Sequence, residues 1–550
     1  MTGDKALDLV DDKKGDNAHV ESKQRRSPLD FLSRLFARRE EPPPPKVIFK
    51  KVPENAELVD VYPVEPPFSK VLIVSLPELG GGKAYFVEEV GLSQDEQGIL
   101  RRLIDILTRE IEPPQSEEFD PRAHIQMEAY RLAKKYGFYK KIPPESWPKL
   151  LYYIYRDLIG FGPIHTIMND KMIEDVSVNG VDIPVYVWHR RYESMPTNIV
   201  IVDDETLDNL IVKLTHMAQK HISTAFPILD AMLPNKDRLA ATFRREVSPK
   251  GSSFTIRRFR EEPFSIIDLI ELGTLNEEIA AYFWILIENR MTIAVVGGTG
   301  AGKTSTLNAF ASLVKPSMKI VTVEEIPELN LPHENWVQLV SRESYGLGMA
   351  KIGEVTLFDL VKTSLRYRPD YIVVGEIRGE EAFVLFQALA TGHGGLTTLH
   401  ADSLDYAIKR LTSPPMNISK TYVPLINVMA MQERVQLPNA KGGLTFGRRI
   451  KEVVEIIDYN DYVVVSKWDP VNDTFKVNLK ESKMLERIAI KKGLTMDEIL
   501  DEVERRVVLL KSLLLNGVRK NNEVAKYVTK YYLENANRKV HRIEGARNSG

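Results

Sequence analysis

Four short stretches of this 550-residue chain carry side chains whose types and spacing suit phosphate chemistry. The first is GGTGAGKT at residues 297–304. It follows an apolar run, read as a strand over 291–296, and opens a run with Leu307 and Phe310 at helical spacing. That strand, loop and helix context is what a phosphate-binding loop requires. Gly297, Gly298, Gly300 and Gly302 let the backbone curl so that its N–H groups face phosphates, and the helix start adds partial positive charge. Thr299, Ala301 and Ser305 complete the loop, Lys303 reaches the β- and γ-phosphates, and the Thr304 hydroxyl ligates Mg²⁺. The expected ligands are therefore ATP and Mg²⁺.

The second stretch is YIVVGE, residues 371–376. Hydrolysis needs a carboxylate at the end of a neighbouring strand, and Glu376 supplies one, on the Mg²⁺ side through water and positioning the attacking water. The third is Glu324 with Glu325, and Glu328 three residues on, after a strand expected at 319–323. Adjacent carboxylates there are either ligand-facing, at the carboxyl edge of a parallel sheet, or solvated loop acids. The fourth is TGHGGLTTLH, residues 391–400, whose His393 and His400 either hydrogen-bond or sense a γ-phosphate, or are structural. With no Cys and no close helical His pair, a tightly ligated metal is not expected.

These residues need a sheet to hold them. From residue 266 onward, helices alternate with short apolar strands, which implies βαβ units and a mainly parallel sheet. Helices are expected at 266–271, 276–289, 303–313, 356–366 and 380–390, and strands at 291–296, 319–323, 371–374 and 396–399. Beyond about 451 comes a strand-rich stretch, then helices at 495–513 and 522–533. Before it, residues 47–260 read as a separate mixed α/β domain, with strands at 71–76, 84–87 and 185–189 and helices at 93–108, 124–136 and 150–160. Residues 261–265, with Pro263, form the linker. The fold class is α/β, in two domains.

Apolar residues make up 43% and charged residues 27% of the chain, ordinary for a packed soluble protein. A net charge of −2 gives no global pull toward nucleic acid or anionic lipid. The absence of cysteine excludes disulfides, thiolate zinc sites and a cysteine nucleophile. No stretch approaches the ~20 apolar residues of a membrane span, so the protein is expected to be soluble and cytoplasmic. Residues 1–46 read as a disordered tail containing a short basic amphipathic helix at 27–39, with Leu29, Leu32, Leu35 and Phe36 on one face. That helix either touches a membrane surface or partner, or packs on its own domain.

The order of GGTGAGKT, VEEIPE (323–328), VVGEIRGEEA (373–382) and TGHGGLTTLHA (391–401) resembles the secretion ATPase superfamily, where such elements are called Walker A, aspartate box, Walker B and histidine box. This resemblance implies a RecA-like C-terminal domain over 266–550, a homohexamer, and action through a polytopic membrane platform protein. It also implies that Arg238, in RLAAT, and Arg257, in SFTIRRF, reach the nucleotide; Arg258 is adjacent, and Arg366, Arg368 and Arg378 are further candidates. The aspartate box reads Glu-Glu-Ile-Pro where the family has Glu-Asp-Pro. KMIEDVSVNG (171–180), VYVWHR (185–190) and RLTSPPM (410–416) resemble archaeal members. Among these the archaellum motor ATPases are most similar, which implies other archaellum motor components as partners and peripheral contact with the inner face of the cell membrane. An archaeal pilus-assembly or secretion ATPase is the alternative. A nucleic-acid translocase is a different class, and the near-neutral charge and lack of a basic, aromatic-interleaved groove oppose it.

Overall fold

The computed structural model describes residues 46–113, 120–260, 262–342, 353–438 and 444–548, and of 444–445 and 535–548 only the backbone. The tail over 1–45, with the amphipathic helix expected at 27–39, lies outside the described residues, as does Glu261 of the expected linker.

Two sheets organise the chain. The first contains β1 (Val47–Phe49), β2 (Glu57–Glu65), β3 (Ser69–Leu76), β4 (Gly82–Glu89), β5 (Ile173–Val178), β6 (Pro184–His189), β7 (Glu193–Ile201), β8 (Ile228–Met232), β9 (Arg238–Thr242) and β10 (Ser253–Arg257). Its order is β2-β3-β4-β7-β6-β5-β10-β9-β8, with β1 on β7. Only the β4–β7 contact is parallel. Alternation along the strands separates its faces: in β10, Phe254 and Ile256 are buried while Thr255 and Arg257 are exposed. The apolar face packs with Leu207, Leu210, Ile211 and Leu214 of the helix Asp204–Met217. The other face carries polar side chains. Helices Gln94–Glu110, Pro121–Lys135 and Trp147–Leu158 make their own apolar cluster around Leu103, Leu132 and Leu150.

The second sheet contains β11 (Ile293–Val296), β12 (Ile320–Glu324), β13 (Trp336–Val340), β14 (Tyr371–Val374), β15 (Gly394–Leu399), β16 (Val428–Pro438), β17 (Leu444–Asp458), β18 (Asp461–Asp469) and β19 (Thr474–Val477). Its order is β13-β12-β14-β15-β11-β16-β17-β18-β19. Pairing is parallel from β13 through β16 and antiparallel from there to β19. Every residue of β11, β12, β14 and β15 is buried, because helices cover both faces. This is the α/β sheet that the strand–helix alternation implies, extended by an antiparallel meander.

The C-terminal helices close the outside of this sheet. Every residue from Ile279 to Ile287 of the helix Glu277–Glu288 is buried. The helix Met496–Leu515 covers it through a guanidinium that is 1% exposed: Arg506 pairs with Glu288 and Glu502 and lies 4.6 Å over the Trp284 ring. A buried arginine is stable there because two carboxylates and a ring face replace its water. The helix expected at 522–533 runs Asn521–Asn548, and a further helix, Lys483–Lys492, breaks the stretch after β19. The start of the helix Lys483–Lys492 is marked by the Ser482 hydroxyl and the buried Glu455 carboxylate, which accepts from the Lys483 and Met484 amides.

Candidate functional site

The four motifs converge at one edge of the second sheet. β11, β12, β14 and β15 run parallel, so the residues that follow their carboxyl ends lie side by side: the loop after Val296, Glu325, Glu376 and His400. The loop is built tightly. A Cβ at Gly297 would lie 2.2 Å from the Gln432 carbonyl oxygen, and Gly300 and Gly302 sit at φ +73° and +90°. Only glycine fits the first position without a clash and the other two without strain. The helix Lys303–Ala311 starts directly from Gly302 with no side-chain cap, so its first amides stay open toward the cleft. Lys303 is half-buried and donates from Nζ to the Gly298 carbonyl at 2.9 Å. Burial lowers its pKa; the nearby Glu376 and Asp402 charges act the other way, while Arg410 and Arg257 add to the lowering.

The acids differ in what holds them. Glu324 is buried, and its Oε1 accepts from the Glu328 and Leu329 amides at 2.8 Å each while Oε2 accepts from Gln338 at 2.8 Å. Burial pushes its pKa up to about 7 against those hydrogen bonds. One oxygen thus holds the 325–329 loop and the other holds Gln338 of β13. Glu325 pairs with Arg378 at the rim of a recess of about 130 Å³, which Thr304, Glu328 and Glu376 also line. Glu376 is exposed.

The facing wall comes from the first sheet. A cleft of about 410 Å³ runs between Thr299, Gly300, Gly302, Lys303, Thr304, Ser305, Glu376 and His400 on one side and Lys236, Arg238, Arg257, Arg258 and Arg260 on the other. Arg238 and Arg257 are direct cross-strand partners on β9 and β10. Arg238 is steadied by Asp230, to which Nε donates at 3.2 Å. Arg258 instead turns to the buried Asp237 at 3.0 Å. The β10 alternation therefore directs Arg257 outward and commits its neighbour to an internal ion pair.

Not every candidate arrives in the cleft. His393 immediately precedes β15 while His400 follows it, and six residues of strand separate them by about 20 Å. Of the two readings of His393, phosphate contact or a structural role, its surroundings favour the second: His393 Nδ1 faces the Ala388 carbonyl and the Thr391 hydroxyl at the end of the helix Glu381–Ala390. Arg366 and Arg368 likewise lie at the amino edge, before β14. Conversely, Lys236, Arg260 and Phe264 line the cleft, and Gln432 and Arg434 lie beside the loop, though no motif marks them.

Residues 157–455 match the family described as Type II/IV secretion system protein. The chain belongs to that family. The secretion-family match spans β5 through most of β17, so both walls of the cleft lie within it. One similar protein is the uncharacterized MJ0900 of Methanocaldococcus jannaschii, 33% identical over 503 residues, which cover 86% of this chain and 88% of that protein. Another is a putative conjugal transfer protein of Mycobacterium tuberculosis, 34% identical over 45% of this chain and 70% of its own length. Among solved structures, the VirB11 ATPase of the Brucella suis type IV secretion system, in complex with sulphate, is 23% identical over 54% of this chain and 96% of that chain, with a TM-score of 0.26. The pilus retraction motor PilT with bound ADP is 16% identical over 61% of this chain and 90% of that chain, with a TM-score of 0.35. Among the described residues, no helix is long and apolar enough to cross a membrane.

Proposed function

We propose that this chain is a cytoplasmic, hexameric motor ATPase that couples ATP hydrolysis to assembly and rotation of the archaellum through a polytopic membrane platform protein. The observation that supports it most is the meeting, in one cleft, of a phosphate-type loop, a strand-end carboxylate and two arginines from another sheet. The open amides of the Lys303 helix and the desolvated Lys303 ammonium bind the β- and γ-phosphates, which replace the weak carbonyl partner that Lys303 now has. The Thr304 hydroxyl, with Glu376 through water, would hold Mg²⁺, which supplies charge neutralisation at the phosphates. Glu376 orients the attacking water and takes its proton, and Arg238 and Arg257 stabilise charge on the transferring phosphoryl group from the facing wall. Residues 47–260 and 266–550 then act as two domains hinged at 261–265, closing on ATP and opening after hydrolysis. The basic segment 27–39 would hold the ring near the inner face of the membrane, with other archaellum components beside it.

Glu376→Gln is expected to bind ATP and release no phosphate; normal steady-state turnover would remove the assignment. Deleting the gene in its host and scoring swimming and surface filaments separately tests the cellular role. Loss of archaella alone supports it. A second reading, a pilus-assembly or secretion ATPase, is favoured by the similarity to a putative conjugal transfer protein, and loss of pili or of secretion with swimming intact selects it.

A further inference from the structure

β16 lies parallel to β11, with Met431 opposite Val296, and a bulge between Met431 and Gln432 carries the strand past the phosphate-binding loop. Two residues on, the Arg434 side chain runs beside the loop: its Cδ is 4.0 Å from where a Cβ on Gly300 would stand. Its guanidinium reaches across to the first sheet while stacking on one ring of the second. Nη2 donates to Glu193 Oε1 at 3.0 Å, and the group lies 5.4 Å from the Trp188 ring and 3.8 Å from the Phe446 ring. Glu193 and Trp188 belong to the β6–β7 hairpin of the first sheet. Glu193 holds its carboxylate there from a left-handed backbone, φ +64°, a conformation that a non-glycine residue rarely adopts.

The register of the first sheet connects this contact to the arginine wall. Ser194, Trp188, Asp175, Arg257 and Arg238 are successive cross-strand partners on β7, β6, β5, β10 and β9. They form one row on one face, and all five line the same surface hollow. At about 4.8 Å between strands, Arg257 stands only about 10 Å from Trp188 along hydrogen-bonded backbone. This row gives a displacement of the hairpin a direct backbone route to both arginines.

We infer that Arg434 is a positioning residue that ties the phosphate-binding loop to the β6–β7 hairpin, so that occupancy of the loop and placement of Arg238 and Arg257 are coupled within one chain. The inference rests on the ATPase reading of the cleft. A half-exposed ion pair between two ring faces shifts an equilibrium only a few-fold, which biases the wall without locking it.

The chain contains no cysteine, so Met127→Cys with Ile490→Cys places one exposed label beside each sheet. Energy transfer between them is followed while a non-hydrolysable ATP analogue with Mg²⁺ is titrated, and KM and kcat are measured with ATP. Glu193→Gln and Trp188→Ala, neither of which adjoins the loop, are each expected to raise the closure midpoint and KM about fivefold, with kcat within about twofold of wild type. Trp188→Phe, which keeps a ring face, should recover most of the loss. Wild-type midpoints in both Glu193→Gln and Trp188→Ala overturn the inference while leaving the ATPase reading intact. Absence of analogue binding by the unmodified protein overturns both. Equal losses in Trp188→Phe and Trp188→Ala, accompanied by a lowered melting temperature, mark the contact as merely structural and also overturn it.

Discussion

The two walls of the cleft present positive charge by different means. The wall from the second sheet uses backbone amides and one lysine, held by a loop between a strand buried on every side and a helix that starts at Lys303. The wall from the first sheet uses long side chains at the ends of β9 and β10, on a face that opens into a surface hollow. Arg238 and Arg257 stand directly opposite one another, with only Asp230 on the first and Asp175 across from the second to offset their charge, which leaves room for an added anion. On the proposed ATPase reading, the first arrangement defines where a phosphate sits. The second gains most when a phosphate is already there, which is the asymmetry expected of a device that closes on its ligand.

The sharpest way to break this contrast is at the acid of the loop-side wall. Glu376→Gln should lower kcat about 10³-fold with nucleotide affinity retained, measured by phosphate release and by binding of a fluorescent ATP analogue. On the opposite wall, Arg257→Ala should lower kcat about 10²-fold at near-normal stability. Arg258→Ala should do the reverse, removing roughly 3 kcal/mol of stability by leaving Asp237 buried without its cation, with the remaining folded protein still turning over. Exchanged phenotypes for these neighbours, read by turnover and urea unfolding, would mean that the outward arginine has been misassigned.

A smaller effect separates two acids on the same wall. The Glu324 carboxyl is raised from 4.5 to about 7, so between those values the folded chain keeps a proton that the unfolded chain releases. Its contribution to stability is full below about pH 4.5 and is lost as the pH rises toward 7, a fall of roughly 3 kcal/mol. The difference between wild type and Glu324→Gln in urea unfolding should therefore slope across pH 4.5–7 and flatten above it. A flat difference throughout would show that the group ionises normally and that burial does not govern it.

Much of the second sheet was legible because each strand is short, apolar and followed at once by its functional residue. The phosphate loop, Glu376 and His400 all sit where a parallel βαβ reading puts them, after carboxyl ends. Which of the two histidines meets the cleft was not legible, for an equally simple reason: the motif TGHGGLTTLH contains a whole strand, so its two histidines lie at opposite edges of the sheet. The distinction among the aspartate-box acids was also hidden. Three carboxylates within five residues look alike in one dimension, yet the Glu328 and Leu329 amides fold back onto Glu324, and Arg378 meets Glu325.

By itself the sequence determined the build of the loop-side wall, since a glycine-rich turn between a buried strand and a helix is encoded in consecutive residues. It also determined the α/β class, through the change of hydrophobic rhythm after residue 265. Only the tertiary structure decided that Arg257 faces the cleft while Arg258 faces Asp237, because that depends on the pleat of β10 and on a buried carboxylate 21 positions away. Only the tertiary structure brought Arg434 to Glu193, 241 residues earlier in the chain. Local backbone chemistry is written in spacing, whereas the meeting of two sheets depends on packing energies summed over the whole fold.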